Sequence, residues 1–305
     1  MNSTSIWRGV IPALTTPFTE QGAVDHDCLL RHARRLIDAG CSGIVALGSL
    51  GEAATLAHEE KLAILHTLVG GLGDRVPVIA GVAGLSTAQA VRLADEAAAV
   101  GCGGLMVLPP YAYSTDAREM DAHVGAVIGA TRLPCMLYNN PVAYRTDFVP
   151  AQIGELCGRF ANLQAVKESS ADVRRIAAIR ALLGGRLELL VGVDDALVEG
   201  VCMGAVGWIA GLVNAYPEES VRLFGLARDA GPEAAAALYA WFLPLLRLDT
   251  LPKFVQAIKL CQAVAGLGSE RVRAPRLPLA GEERAAVMAL IGHANATRPP
   301  IGRGA

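Results

Sequence analysis

Leu163-Gln164-Ala165-Val166-Lys167-Glu168-Ser169-Ser170 is a brief apolar run that ends in a lysine, an acid and two serines, with a helical pattern from Asp172 behind it. A parallel strand covered on both faces reads as an apolar run. The stretch is therefore expected to be an inner strand with Lys167 at its carboxyl end. A lysine there is either a surface cation or a desolvated amine inside a site. The stretch alone leaves both open.

The same unit recurs on either side. Upstream, Cys135 to Tyr138 is a strand followed by Asn139-Asn140-Pro141 and a short helix over Pro150 to Cys157. Gly104 to Leu108 is a strand broken by Pro109-Pro110, with a helix over Asp116 to Ala130. Earlier strands are expected at Val10 onward into the turn Thr15-Thr16-Pro17-Phe18, at Gly43 to Leu47 and at Val76 to Ala80. Their helices run over Asp25 to Asp38, over His58 to Val69, and from Ser86 to a stop at Gly101. Downstream come a helix to Leu183, a strand over Leu187 to Val191, a helix over Asp194 to Met203 and a strand over Ala205 to Ile209.

Regular strand–helix alternation argues for an all-parallel sheet. Right-handed crossovers let eight such units close on themselves. The fold class is therefore α/β, a (β/α)8 TIM barrel. An open doubly wound sheet competes with it, but the first strand lacks a Gly-x-Gly-x-x-Gly turn and no long insertion divides the chain. After Asn214 only helical patterns remain. Glu218 to Asp229 would complete the barrel. Pro232 to Leu248, Leu251 to Leu267 and Gly281 to His293 would form a C-terminal three-helix extension. The expected organisation is a catalytic barrel over residues 1–230, an extension packed on it over 231–297, and a loose tail over 298–305.

Composition narrows the function. The 305 residues are 52% hydrophobic and 18% charged, with a net charge of −2. That excludes a disordered chain and gives no electrostatic footing for nucleic acid or a membrane surface. No apolar run approaches the roughly 20 residues that cross a bilayer, and Met1 to Gly9 has no signal-peptide pattern. Seven scattered cysteines without a Cys-x-x-Cys pair suggest reduced thiols. A cytoplasmic location follows as an expectation. The six histidines fall in helices or at their starts, away from strand ends, so neither a metal nor another cofactor is expected.

In a barrel of this kind the site is built where the strands end at their carboxyl termini. Polar and glycine residues collect there: Thr15, Gly48-Ser49-Leu50-Gly51-Glu52, Tyr111, Tyr138-Asn139-Asn140, Lys167-Glu168, Asp194-Asp195 and the run to Gly211. Lys167 is the only lysine at an expected strand end. Desolvation would lower its pKa and make it a nucleophile that captures a ketone as a Schiff base. Tyr138, one strand earlier, could reach it as a proton shuttle, or could be a core tyrosine. Backbone N–H groups of the Gly48–Glu52 turn and the Ser49 hydroxyl suit a carboxylate; alternatively the segment is a plain turn with Glu52 near a helix N-terminus. Lys253 and Lys259, in the C-terminal helices, read as solvated or interface cations.

Together, Thr15-Thr16-Pro17-Phe18, Gly48-Ser49-Leu50-Gly51-Glu52-Ala53-Ala54-Thr55-Leu56, Tyr138-Asn139-Asn140-Pro141, Val166-Lys167-Glu168 and Gly207-Trp208-Ile209-Ala210-Gly211 resemble the dihydrodipicolinate synthase / N-acetylneuraminate lyase family. The resemblance runs from about Val10 to Leu267. It implies that Lys167 is the Schiff-base lysine and Tyr138 the catalytic phenol. It also implies that Ser49 with nearby backbone amides clamps a 2-oxo-acid carboxylate, that Ile209 lines the pocket, and that the protein is a homotetramer, a dimer of dimers. Gly48, Leu50, Thr15, Tyr111 and Asn140 complete the expected substrate-binding set.

Three departures from the synthase pattern bear on the substrate. Leu50 stands where the synthase carries a relay hydroxyl. Ala112 aligns with a tyrosine that reaches in from a neighbouring subunit, with Tyr113 beside it. Ala143 stands where an arginine takes the second substrate's carboxylate, and Arg145 follows two residues later. The run from Gly48 to Leu56 and the run Tyr138-Asn139-Asn140-Pro141-Val142-Ala143-Tyr144-Arg145-Thr146-Asp147 look more like bacterial Δ1-pyrroline-4-hydroxy-2-carboxylate deaminases. That resemblance implies a small hydroxylated 2-oxo acid or its cyclic imine as substrate. Synthase activity on pyruvate and aspartate semialdehyde, another keto-acid aldolase, and a non-catalytic keto-acid-binding barrel are the alternatives.

Overall fold

The computed structural model describes residues 5–111 and 115–300. Eight strands follow one another around a parallel sheet: β1 (Gly9–Pro12), β2 (Ile44–Ala46), β3 (Val78–Val82), β4 (Gly104–Val107), β5 (Cys135–Asn139), β6 (Leu163–Glu168), β7 (Glu188–Val191) and β8 (Gly207–Ala210). β1 pairs with β8, and β2 through β8 pair in sequence. The seam between β1 and β2 is closed by a parallel bridge between Ala13 and Val45 and by the bond from Leu14 N–H to Val45 C=O, 2.9 Å. The barrel expected from the alternation is the barrel observed.

The strand period explains what fills it. Successive side chains on a strand point to opposite faces. Ile11, Val45, Ile79, Met106, Met136, Ala165, Leu190 and Ile209, one residue from each strand, form a single buried cluster inside the barrel. Trp7 belongs to the same cluster, and its indole N–H donates to Gln164 at 3.3 Å. A second, larger cluster lies between the outer strand faces and the helices.

The barrel helices are α1 (His26–Asp38), α2 (His58–Leu72), α3 (Thr87–Val100), α4 (Ala117–Gly129), α5 (Pro141–Tyr144), α6 (Pro150–Arg159), α7 (Arg174–Leu183), α8 (Leu197–Cys202) and α9 (Pro217–Asp229). Their starts follow local chemistry. Asp25, Ser86 and Asp116 accept first-turn N–H groups of α1, α3 and α4. Asp172 does not open α7, as the sequence suggests; it accepts the Arg174 N–H at 3.1 Å, and the helix begins after that turn. β3 starts at Val78 because Pro77 has no N–H to donate.

Three further helices follow: α10 (Pro232–Leu246), α11 (Phe254–Val264) and α12 (Gly281–Ala296). The helix expected over Leu251 to Leu267 is shorter than that. Pro252 disfavours helical backbone at the residue before it, and Leu251 is extended at φ −78°, ψ 151°. A 3-10 turn over Arg247–Thr250 precedes it, and the helix starts only at Phe254. α11 lies against the barrel interior, since Val255 and Ile258 join the same cluster as Ile11 and Ile209. Arg298, in the expected tail, donates to the buried carboxylate of Glu219.

Lys259 corrects the expectation of a solvated or interface cation. It is 1% exposed and donates to Glu52 Oε1 and to the Arg271 carbonyl, both at 2.6 Å. Glu52, fully buried, also accepts the Arg273 backbone N–H at 3.0 Å. An apolar helix face carried the lysine inward, and a carboxylate from the β2 turn met it.

Candidate active site

Lys167 and Tyr138 are neighbours by register. Met136 and Ala165 point into the barrel, so the residues two positions on point inward as well, one layer nearer the mouth. The β5–β6 ladder pairs Tyr138 with Lys167 and Asn139 with Glu168. Lys167 is 6% exposed, and its Nζ lies 4.0 Å from the centre of the Tyr138 ring. Burial lowers its pKa to about 8, against the opposing pull of Asp249 and then Asp194. Among the described residues, no carboxylate lies within ion-pair distance of Nζ. At neutral pH the amine is still mostly protonated, but its neutral fraction is far larger than that of an exposed lysine.

The next strand makes room for it. A Cβ on Gly192, just past β7, would lie 2.7 Å from Lys167 Cγ, 2.8 Å from its Cε and 1.9 Å from Ser169 Oγ. The Ser169 hydroxyl is buried and, among the described residues, has no well-formed hydrogen bond. Behind the lysine, Glu168 accepts from Asn139 at 3.1 Å and from the Ser170 N–H at 2.7 Å. Asn139 also donates to Asp147, which Arg175 grips with two bonds of 2.6 and 2.7 Å. This network fixes the ends of β5 and β6.

The two acids facing Lys167 differ in how they are bonded. Asp194, fully buried, accepts from the Trp208 indole and from the N–H groups of Gly211 and Leu212 at 2.7–3.1 Å. Asp249, from the 3-10 turn before α11, is half-buried and, among the described residues, accepts only the Asp194 N–H, at 3.4 Å. A Cβ on Gly211 would come within 2.6 Å of its Oδ1 and 3.3 Å of Asp194 Oδ2. Burial holds Asp194 well above the usual carboxylate range, with Asp249 adding to the effect. Burial likewise raises Asp249 to about 6, opposed by the charge on Lys167. Asp249 is thus the acid with bonding capacity to spare.

Tyr138 is buried, and burial pushes its phenol up to about 12. Asn140 Oδ1 accepts the Ala143 N–H at 2.9 Å, which fixes the amide orientation. Its Nδ2 therefore donates to the Tyr138 oxygen, at 3.0 Å. Asn140, expected among the substrate-binding residues, is the N-cap of α5 and holds the phenol.

Gly48–Glu52 turns sharply between β2 and a 3-10 turn at Ala53–Thr55. Leu47 and Glu52 have left-handed backbones, at φ 62° and 56°. Two bonds pin the turn: Thr16 Oγ1 donates to the Gly51 carbonyl at 2.7 Å, and Lys259 holds Glu52 from below. Leu50 is 3% exposed and belongs to the barrel-interior cluster with Ile209. The Ser49 hydroxyl is hydrogen-bonded to the Tyr144 phenol, whose ring lies 5.9 Å from that of Tyr138 and 5.7 Å from that of Tyr111. Thr15 is buried, and its hydroxyl donates to Gln262 of α11 at 2.8 Å. Ala143 and Arg145 are exposed, and Ala112 and Tyr113 lie outside the described residues. A separate cavity of about 380 Å³ lies between α1 and Gly266–Arg271; none of these site residues lines it.

A mouth of this build, with a lysine of lowered pKa, a protonated phenol and an acid beside them, can capture a carbonyl carbon and move protons around it. The family model of the dihydrodipicolinate synthetase family matches residues 6–294. The chain belongs to that family. It is 35% identical over 279 residues to the 4-hydroxy-tetrahydrodipicolinate synthase of Xanthomonas axonopodis pv. citri, covering 91% of each chain. It is 32% identical to the synthase of the same name from Agrobacterium fabrum, covering 95% of this chain and 99% of the other.

Solved structures of the family agree in shape. A putative dihydrodipicolinate synthetase from Pseudomonas aeruginosa superposes with a TM-score of 0.88 at 32% identity, covering 94% of this chain and 99% of that one. YagE of E. coli, described as a family member in complex with pyruvate, gives 0.89 at 28% identity, covering 95% and 99%. As a member of this family of lyases and aldolases, the protein acts on a small molecule. Among the described residues, no helix is long and apolar enough to cross a membrane.

Sequence reasoning brought Lys167, Tyr138, Ser49 and Leu50 to the right strand ends but gave Asp249 and Tyr144 no part. The signal for Asp249 was Asp249-Thr250-Leu251-Pro252, a break in an apolar helical run. For Tyr144 it was an aromatic three residues after Pro141, at a loop tip near a strand end.

Proposed function

We propose that Lys167 forms a Schiff base with C2 of a small hydroxylated 2-oxo acid or its cyclic imine, and that the reaction is deamination of Δ1-pyrroline-4-hydroxy-2-carboxylate. The observation that carries the first half is the buried Lys167 amine, lowered to about 8, above the Tyr138 ring. The second half is supported by Leu50, an apolar side chain beside Ser49 where a relay hydroxyl would serve a condensation.

The steps balance. The neutral amine attacks C2 of the imine, the ring nitrogen leaves as a primary amine, and Lys167 holds the opened acid as an iminium. The cationic imine acidifies C3, which loses a proton, and the C4 hydroxyl departs as water with a proton from the site. The resulting unsaturated imine tautomerises to an imine at C5. One water hydrolyses C5 to the aldehyde and releases ammonia; a second frees Lys167. One water in net gives 2-oxoglutarate semialdehyde and ammonia. Tyr138, protonated and held by Asn140, is suited to move protons at the lysine nitrogen. The Ser49 hydroxyl and the turn's N–H groups would take the carboxylate, and Thr15, Ile209 and Tyr111 would frame the pocket. The active form in this reading is a homotetramer.

The printed names of the relatives favour a second reading, condensation of pyruvate with aspartate semialdehyde. The purified protein is assayed for ammonia release from the cyclic imine and, separately, for product from pyruvate and aspartate semialdehyde. Ammonia release with kcat/KM at least tenfold above condensation supports deamination; the reverse ratio replaces it with the synthase reading.

A further inference from the structure

Proton traffic in a dry mouth needs hydroxyls in line. Lys167, Tyr138 and Leu50 are all buried, and Leu50 cannot pass a proton. The Tyr138 oxygen receives the Asn140 amide, whose orientation is fixed by Ala143, which leaves its own O–H for the neighbouring Ser49 hydroxyl. Ser49, next to Leu50, keeps its hydroxyl on the Tyr144 phenol. The Tyr144 ring stands edge-on to Tyr138, with an interplanar angle of 88°. On its other side lies the ring of half-buried Tyr111. Tyr144 is itself half-buried, so this cluster runs from the buried phenol to the accessible edge of the mouth.

We infer that Tyr144 is the outer link of a proton relay, acting through the Ser49 hydroxyl, in the place where Leu50 offers none. It is a positioning and relay residue and makes no bond to the reacting carbons. α5 supplies it: Asn140 caps the helix and fixes Tyr138 with one end of its amide, and the same single turn carries Tyr144 back over Ser49. The relay therefore lies within one chain. The inference rests on the Schiff-base reading of Lys167, since the proton it carries is the one lost from and returned to C3 of the Lys167-bound acid.

Pyruvate is the probe. On Lys167 it would form an iminium with loss of water, lose a methyl proton to give the enamine, and regain a deuteron in D2O. NMR follows the loss of the methyl signal. Reduction by borohydride followed by mass spectrometry measures the iminium separately. Tyr144→Phe keeps the ring and its edge-on contact, so the fold is expected to hold, and thermal melting compares it with wild type. The expected result is a fall in exchange rate of at least tenfold, with iminium trapping within twofold of wild type. Exchange within twofold of wild type overturns the relay. So does an equal loss of trapping and exchange, which marks a structural role. Wild-type protein that neither traps nor exchanges pyruvate refutes the Schiff-base reading, and the inference with it.

Discussion

Tyr138 and Lys167 are partners across the β5–β6 ladder, and the lysine nitrogen sits 4.0 Å from the centre of the tyrosine ring. The pairing puts a buried amine and a phenol in one layer of the barrel by register alone. Their chemistry is set by what surrounds that layer: burial, which lowers the pKa of the amine, and acids, which partly raise it again.

Gly192 sets the space for the lysine. Its missing Cβ would stand 2.7–2.8 Å from the Lys167 stem and 1.9 Å from the Ser169 hydroxyl. Gly192→Ala is expected to displace Lys167 and cut kcat by about a hundredfold, the scale of a 1 Å misplacement. Its melting temperature should fall only a few degrees. Unchanged kcat would show that the stem has another path.

Asp249 bears on the charge of Lys167, and through it on the proposed reaction. The groups facing it are Lys167 from β6, Tyr138 from β5, Asp194 and Asp195 from the turn after β7, and Arg247 from its own turn, which lies 3.8 Å from Asp195. Its carboxylate raises the lysine pKa. In Asp249→Asn the pH at which iminium trapping reaches half its maximum rate should move down from about 8. Below about 6 wild type and variant should converge, because Asp249 itself is then protonated. An upward or absent shift would contradict this.

The stability of the folded state carries the same signature. Lys167 has a lower pKa folded, about 8, than unfolded, 10.5. Between those values the unfolded chain binds more protons, so the lysine costs stability at neutral pH and the cost fades as pH rises through the window. Lys167→Met should be more stable than wild type at pH 7, by ~1–3 kcal/mol. The gap should narrow toward pH 10.5. Urea unfolding at several pH values measures it.

Much of this was readable in the chain, and the unreadable part shares one cause. Eight apolar runs alternating with helices forced the barrel, and the strand period brought Tyr138 and Lys167 inside. Those are local patterns. Lys259 looked like a surface cation because its partner, Glu52, is 207 residues away in sequence. Asp249 joins the site only because Pro252 breaks a helix and the chain folds back over the ends of β7 and β8. Tyr144 depends on a four-residue helix that sequence period cannot signal.

The Lys259–Glu52 pair is the link between extension and carboxylate turn. Removing Lys259 leaves buried Glu52 with the Arg273 N–H and with Arg276 at 3.8 Å, so Lys259→Met should cost up to about 3–5 kcal/mol. Adding Glu52→Gln should recover part of that loss. Urea midpoints of the single and double variants decide it; additive losses would mean that the pair does not act as a unit.

The central claim is that Lys167 bonds covalently to its substrate. Incubating the protein with the cyclic imine or pyruvate, reducing with borohydride, digesting and sequencing by mass spectrometry reads it directly. The account predicts one adduct, on the peptide that contains Lys167, and none in Lys167→Ala. An unmodified Lys167 peptide, with activity surviving in Lys167→Ala, would contradict it.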